Sequence, residues 1–124
     1  MRIFKTRMFN RWANRMGITS HALCQAVTEI QAGLSDGQLG SNLVKQRVRR
    51  KGQGKRGSYR TILATNFKNR YIFIYGFAKN ERENIDATEF KMLKKLAVTL
   101  LEMDETLIIQ TLIRGELLEI SDGK

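Results

Sequence analysis

Arg70-Tyr71-Ile72-Phe73-Ile74-Tyr75-Gly76-Phe77-Ala78 is a run of β-branched and aromatic side chains, apolar at successive positions rather than at helical intervals. A run this short and this apolar reads as a strand covered on both faces, central in its sheet. In a regular strand Tyr71, Phe73, Tyr75 and Phe77 share one side, where they pack against a helix. Residues 59–66 have the same character, and the polar turn Asn66-Phe67-Lys68-Asn69 joins the two into a hairpin. From Val44 the pattern changes to strict alternation, with Val44, Gln46 and Val48 pointing one way and Lys45, Arg47 and Arg49 the other. Three cations therefore stand on one face of one strand.

Working outward, Arg2-Ile3-Phe4-Lys5-Thr6 reads as an opening strand. Phe9, Trp12, Ala13 and Met16 then recur at helical spacing, and the helix closes near Gly17. Thr19 or Ser20 caps a second helix along Leu23, Val27, Ile30 and Leu34, which Asp36-Gly37 and Gly40 break. Lys51-Gly52-Gln53-Gly54-Lys55-Arg56-Gly57 is expected as a flexible basic loop whose glycines admit a ligand close to the backbone. After residues 79–86 a long helix starts near Ala87, with Phe90, Leu93, Leu96, Ala97, Leu100 and Leu101 as the stripe that covers the sheet. Asp104 caps a last helix to Arg114, Gly115 follows it, and residues 116–120 return as a strand or extended tail. The order β-α-α-β-β-β-α-α predicts an α+β fold, a small, mostly antiparallel sheet flanked by helices. One domain spans 1–124, with 104–124 as a C-terminal extension.

The chain has 124 residues, 42% of them apolar and 27% charged, and its apolar runs are too short to span a membrane. Its N-terminal segment is amphipathic and arginine-rich, without the apolar core of a secretory leader. One cysteine, Cys24, and one histidine, His21, exclude a Cys/His zinc site and weigh against a Ser-His-Asp or Cys-His hydrolase. The charge is uneven. Residues 1–82 hold 17 basic and three acidic side chains, whereas 83–124 hold five basic and nine acidic ones. Between Asp36 and Glu81 there is no acid at all. Such a surface calls for a polyanion.

Lys45, Arg47, Arg49 and Arg60 are expected on a shared surface, rimmed by the glycine-rich loop with Arg50, Lys51, Lys55 and Arg56 and by the 79–82 loop with Lys79 and Arg82. That face suits several phosphates, and an exposed ring such as Tyr59 would stack on a base of single-stranded RNA. Cleavage by the neighbouring 2′-hydroxyl needs a base, charge stabilisation at phosphorus and an acid for the departing 5′-oxygen. Arginine supplies only the second, since it stays protonated. Lys45 or Lys55, crowded by cations, is one candidate for proton transfer, and a tyrosine is another. His21 and Cys24 read as structural residues of the second helix.

Gly57-Ser58-Tyr59-Arg60-Thr61-Ile62-Leu63 and the later block Tyr75-Gly76-Phe77-Ala78-Lys79-Asn80-Glu81-Arg82, with the basic loop ahead of them, resemble the RelE/HigB-like toxins of bacterial type II toxin–antitoxin modules. The resemblance implies a RelE-type fold and a cytoplasmic, metal- and cofactor-independent endoribonuclease. Such an enzyme cuts mRNA in the ribosomal A site, in contact with 16S rRNA. It also implies a cognate HigA-like antitoxin with a helix-turn-helix, and operator DNA bound through it, but no membrane. By position Arg60 matches the family's strand arginine at the scissile phosphate, Lys45 and Arg47 its alternating basic pair, and Lys79 and Arg82 its basic loop. The expected catalytic set is thus Lys45, Arg47, Lys55, Arg60 and Arg82, with Arg49, Arg50, Lys51, Arg56, Tyr59 and Lys79 binding RNA. Asn80 and Asp86 stand where the RelE pattern has an arginine and a catalytic tyrosine. Two alternatives stay open: a gyrase-poisoning ParE-like toxin, and a nucleic-acid-binding protein of the same fold without catalysis.

Overall fold

The structure is a computed structural model that describes residues 1–50 and 54–121, with the side chains of Arg50 and 54–57 outside that description. In chain order the elements are β1 (Arg2–Thr6), α1 (Arg7–Met16), α2 (Ser20–Gln31), β2 (Gly37–Gly40), β3 (Leu43–Arg50), β4 (Gly54–Thr65), β5 (Arg70–Ala78), α3 (Ala87–Glu102), α4 (Glu105–Ile113) and β6 (Leu117–Ile120). Six strands form one sheet in the order β2-β3-β4-β5-β1-β6. Only β1 and β5 run parallel; the other neighbours are antiparallel. The α+β class is the expected one, and β4 and β5 are central as their apolar runs require.

Each face of the sheet carries its own helix pair. Phe9, Ala13, Leu23, Val27 and Ile30 of α1 and α2 pack on Val44, Val48, Leu63, Tyr71 and Phe73. On the opposite face Leu93, Ala97, Leu100 and Ile108 of α3 and α4 pack on Phe4, Ile62, Ile72, Ile74 and Leu117. Local signals set the helix ends. The hydroxyls of Thr6 and Thr19 accept from the amides of Phe9 and Ala22, and Gly17 closes α1 in the left-handed region at φ 70°. Asp86 and Glu89 form a reciprocal capping box at the start of α3. Arg70 Nη1 donates to the carbonyls of Leu100, Leu101 and Met103 at 3.1, 3.3 and 2.9 Å, closing the C-terminus of α3 over the sheet. Arg2 joins Glu105 and Glu119 at 2.8 and 2.9 Å, tying α4 and β6 to the first strand.

Five expectations need correction. Residues 37–40, read only as a helix breaker, form the edge strand β2 against β3; a four-residue strand bounded by glycines leaves no periodic trace. The expected element order ends on a helix, but residues 117–120 take the strand alternative left open for them and pair with β1. The glycine-rich stretch is not all loop: β4 begins at Gly54, opposite Arg50, and only 51–53 lie between the described strands. Helix α2 ends at Gln31, with Gly33 at φ 81°, so Leu34 is exposed rather than part of the apolar stripe.

The fifth correction positions the site. Leu63 faces Phe73 but Ile62 faces Tyr75, so Ile74 is an extra residue on β5, a β-bulge. The insertion resets the side-chain alternation. Tyr71 and Phe73 lie in the α1/α2 core, while Tyr75 belongs to the α3 side. The four aromatics therefore do not share a face.

Candidate nucleic-acid interface

Strands β3, β4 and β5 bring the expected cations together by register. Arg47 stands directly opposite Arg60, and Arg60 opposite Phe77; Lys45 stands opposite Ile62, and Ile62 opposite Tyr75. Two rows thus cross the sheet side by side on the α3 face, at the end that α3 leaves open. Lys45, Arg47 and Arg60 are each half-buried. A directly opposed pair of like charges destabilises a sheet, and a bound anion reverses the sign of that contribution. Among the described residues no ion pair involves Lys45 or Arg60, and Arg47 has Asp36 at 3.9 Å from its Nε. Asp36 also accepts the Arg47 amide at 2.7 Å, so this carboxylate fixes the β3 backbone from the edge. Ser58, two residues before Arg60, has a buried hydroxyl with no hydrogen-bond partner among the described residues.

A second cluster borders this face. Arg82, after β5, joins Glu89 of α3 through both terminal nitrogens. Its Nε donates to the Asn84 carbonyl at 2.9 Å, and its guanidinium carbon lies 5.7 Å from the centre of the Phe77 ring. The Tyr75 hydroxyl donates to Glu89 Oε2 at 2.8 Å, with Arg82 Nη1 3.4 Å away. Arg82 first, and the capping contact with Asp86 second, hold the Glu89 carboxyl down at about 2. Burial, followed by the Glu89 contact, pushes the Tyr75 phenol above its ordinary value. At neutral pH the cluster is a neutral phenol between a firmly ionised carboxylate and a guanidinium.

Where β1 gives way to α1, its pairing with β5 ends at Phe73, and a groove of about 500 Å³ opens beside residues 74–78. Trp12, Tyr75 and Phe77 give it apolar walls, and Arg11, Arg15 and Arg82 a basic rim. Trp12 lies flat against Gly76, where an added Cβ would come within 2.2 Å of the indole. Glycine at 76 is thus what lets α1 close on β5.

Among the expected site residues, Lys45, Arg47 and Arg60 share the α3 face by register, Arg82 borders it through Phe77 and Tyr75, and Lys79 is exposed just beyond β5. Two do not join them. The Arg49 guanidinium turns to Glu29 of α2 at 3.1 Å, because the β3–β4 register shifts between Val48 and Arg50 and the carboxylate draws it off the cationic face. Tyr59 cannot stack on a base from its place: it is 9% exposed, pairs with Val48, and sets its ring edge-on to Trp12 at 5.6 Å across the sheet. Lys51 and the side chains of Arg50, Lys55 and Arg56 lie outside the described residues. Asp86 serves as the N-cap of α3. His21 and Cys24 are on α2, under the opposite face of the sheet. Sequence reasoning missed Glu89, although its place three residues after Asp86 is the mark of a capping box.

Among the described residues no group of His, Cys, Asp or Glu side chains is placed to hold a metal ion, and no helix is long and apolar enough to cross a membrane. A search of the curated proteins finds no match. A family model described as the RelE toxin of the RelE/RelB toxin–antitoxin system matches residues 1–120, nearly the whole chain, and the protein belongs to that family of toxins.

Proposed function

We propose that this toxin is a ribosome-dependent endoribonuclease of the HigB-like kind, which cuts mRNA in the A site and stops translation. Toxins of the family are generally mRNA interferases that pair with an antitoxin and act on the ribosome. The observation that carries the reading is the opposed Arg47–Arg60 pair beside Lys45. Among the described residues it sets three cations against a single carboxylate, Asp36 beside Arg47, a poor choice for stability and a good one for a phosphodiester.

In this reading the 2′-oxygen of one nucleotide attacks the adjacent phosphorus. Arg47 and Arg60 neutralise the charge that builds on the non-bridging oxygens, and Lys45 steadies the flanking phosphate. No metal ion is required, because the arginines supply the charge stabilisation. Lys79 and the basic residues of 50–56 hold the RNA on either side and contact 16S rRNA. Chain 1–124 acts as one toxin domain in the bacterial cytoplasm, with 104–124 as its C-terminal extension. It is neutralised by a HigA-like helix-turn-helix antitoxin that carries it to operator DNA.

The test is induced expression of the wild type beside Arg60→Ala and Lys45→Ala/Arg47→Ala, with growth recorded and new mRNA 5′ ends mapped against the reading frame. Growth arrest with in-frame cuts, both lost in the folded variants, supports the reading. Arrest without cuts favours a gyrase poison, and neither effect favours a binder without catalysis.

A further inference from the structure

We infer that Tyr75 is the catalytic acid of this toxin, giving its hydroxyl proton to the departing 5′-oxygen, while Glu89 and Arg82 hold the phenol in position. The inference rests on the nuclease reading and names the proton donor that the arginines cannot be.

Three observations carry it. The first is the bulge. Without Ile74 as an extra residue, Tyr75 would point into the α1/α2 core with Phe73; with it, Tyr75 shares a face with Arg60. Bulges recur next to active sites because they re-aim one side chain. The second is distance along the sheet. Arg60 pairs with Phe77, so Tyr75 is its diagonal neighbour, about 7–8 Å away between backbones and within reach of a long side chain. The third is the hydroxyl's setting. It lies 2.8 Å from Glu89 Oε2 and 3.4 Å from Arg82 Nη1, in a half-buried ring that lines the open groove. A carboxylate and a guanidinium on one phenol fix its orientation, as the partners of an acid must. The other described tyrosines, Tyr59 and Tyr71, belong to the α1/α2 side of the sheet.

The bond from the 2′-oxygen to phosphorus forms as the bond from phosphorus to the 5′-oxygen breaks. The Tyr75 hydrogen, which turns from Glu89 by rotation about the phenolic C–O bond, passes to the 5′-oxygen. Water takes the proton of the 2′-hydroxyl and returns one to the phenolate, which Arg82 stabilises while it lasts. The products are a 2′,3′-cyclic phosphate and a 5′-hydroxyl. Glu89 is a positioning residue, since it touches the phenol and not the RNA.

The test is single-turnover cleavage of mRNA on programmed ribosomes by the wild type and Tyr75→Phe, using one message with an ordinary 5′-oxygen at the cut site and one with a bridging 5′-sulfur. A thiolate leaves without protonation, so only the oxygen substrate needs an acid. Tyr75→Phe is expected to slow the oxygen substrate by at least about 10²-fold and the sulfur substrate by less than about fivefold. Glu89→Gln should show the same substrate dependence in milder form. Equal rates for Tyr75→Phe and wild type on the oxygen substrate, or equal slowing on both substrates, would overturn the assignment and leave the nuclease reading standing. A wild type that cuts neither substrate overturns the nuclease reading and the assignment with it.

Discussion

Replacing Gly76 with alanine tests the contact that closes α1 on the sheet. The new Cβ would lie 2.2 Å from Trp12 Cζ3 and 2.6 Å from both Cε3 and Cη2. Gly76 has no positive φ, so alanine suits the backbone and the whole conflict is with the ring. The indole must retreat by more than 1 Å to reach ordinary contact, roughly 3.4 Å or beyond. It is hemmed in by Phe9 and Tyr59, whose ring centres lie 5.5 and 5.6 Å from its own. Overpacking of this kind costs about 1–3 kcal/mol. At about 2.1 cal/mol/K per residue, a chain of 124 residues has an unfolding entropy near ~0.26 kcal/mol/K, so Tm should fall by about 4–12 °C. The assay is thermal and urea unfolding followed by circular dichroism, with Trp12 fluorescence as a second probe where the tryptophan is present, repeated by circular dichroism alone in a Trp12→Leu background. There Gly76→Ala should cost less than about 0.5 kcal/mol, because the opposing ring is gone. A Gly76→Ala protein that melts within about 1 °C of the wild type, or an equal cost in both backgrounds, would refute the reasoning.

Arg60→Gln removes one half of a directly opposed like-charge pair, and should raise stability by about 0.2–1 kcal/mol while abolishing RNA cleavage; urea midpoints and cleavage rates on the same preparation check both signs. Glu89 has a folded-state value near 2, below its ordinary 4.5, so its contribution to stability is fully present above about pH 4.5 and disappears as the pH falls toward 2. Urea titrations between pH 7 and pH 2 should therefore show a decline that Glu89→Gln makes shallower, and an equally steep decline in that variant would count against the Arg82–Glu89 pairing. Arg2→Ala frees Glu105 and Glu119, both well exposed, so the stability lost should stay within about 1–2 kcal/mol and shrink in high salt. A loss that 1 M salt leaves unchanged would mean that packing against Phe4, not charge, carries the contact.

The alternation of Val44, Gln46 and Val48 with Lys45 and Arg47 survives intact in the folded protein, because a regular strand has a period of two and one buried face enforces it. The caps at Thr19 and Asp104 were equally legible, since each depends on a side chain three residues from the amide it satisfies. What sequence could not show was the extra residue at Ile74. A bulge is set by how two strands register, and nothing in an unbroken apolar run says which residue is left unpaired. That one insertion decides which tyrosine reaches the cationic face. The places of Arg49 and Tyr59 failed for a related reason: the first follows a carboxylate on another element, and the second a tryptophan on α1. Glu89 was missed as a cap, and as a partner of Tyr75 it left no local signal, because the contact joins α3 to a strand 14 positions earlier.

The most direct test of the central claim is the chemistry of the RNA ends made by purified toxin on ribosomes stalled with a known codon in the A site. One cut at that codon is expected, leaving a 2′,3′-cyclic phosphate and a 5′-hydroxyl, abolished in Arg60→Ala and absent when ribosomes are omitted. No cut by folded wild-type protein, or cutting that Arg60→Ala leaves unchanged, would contradict it.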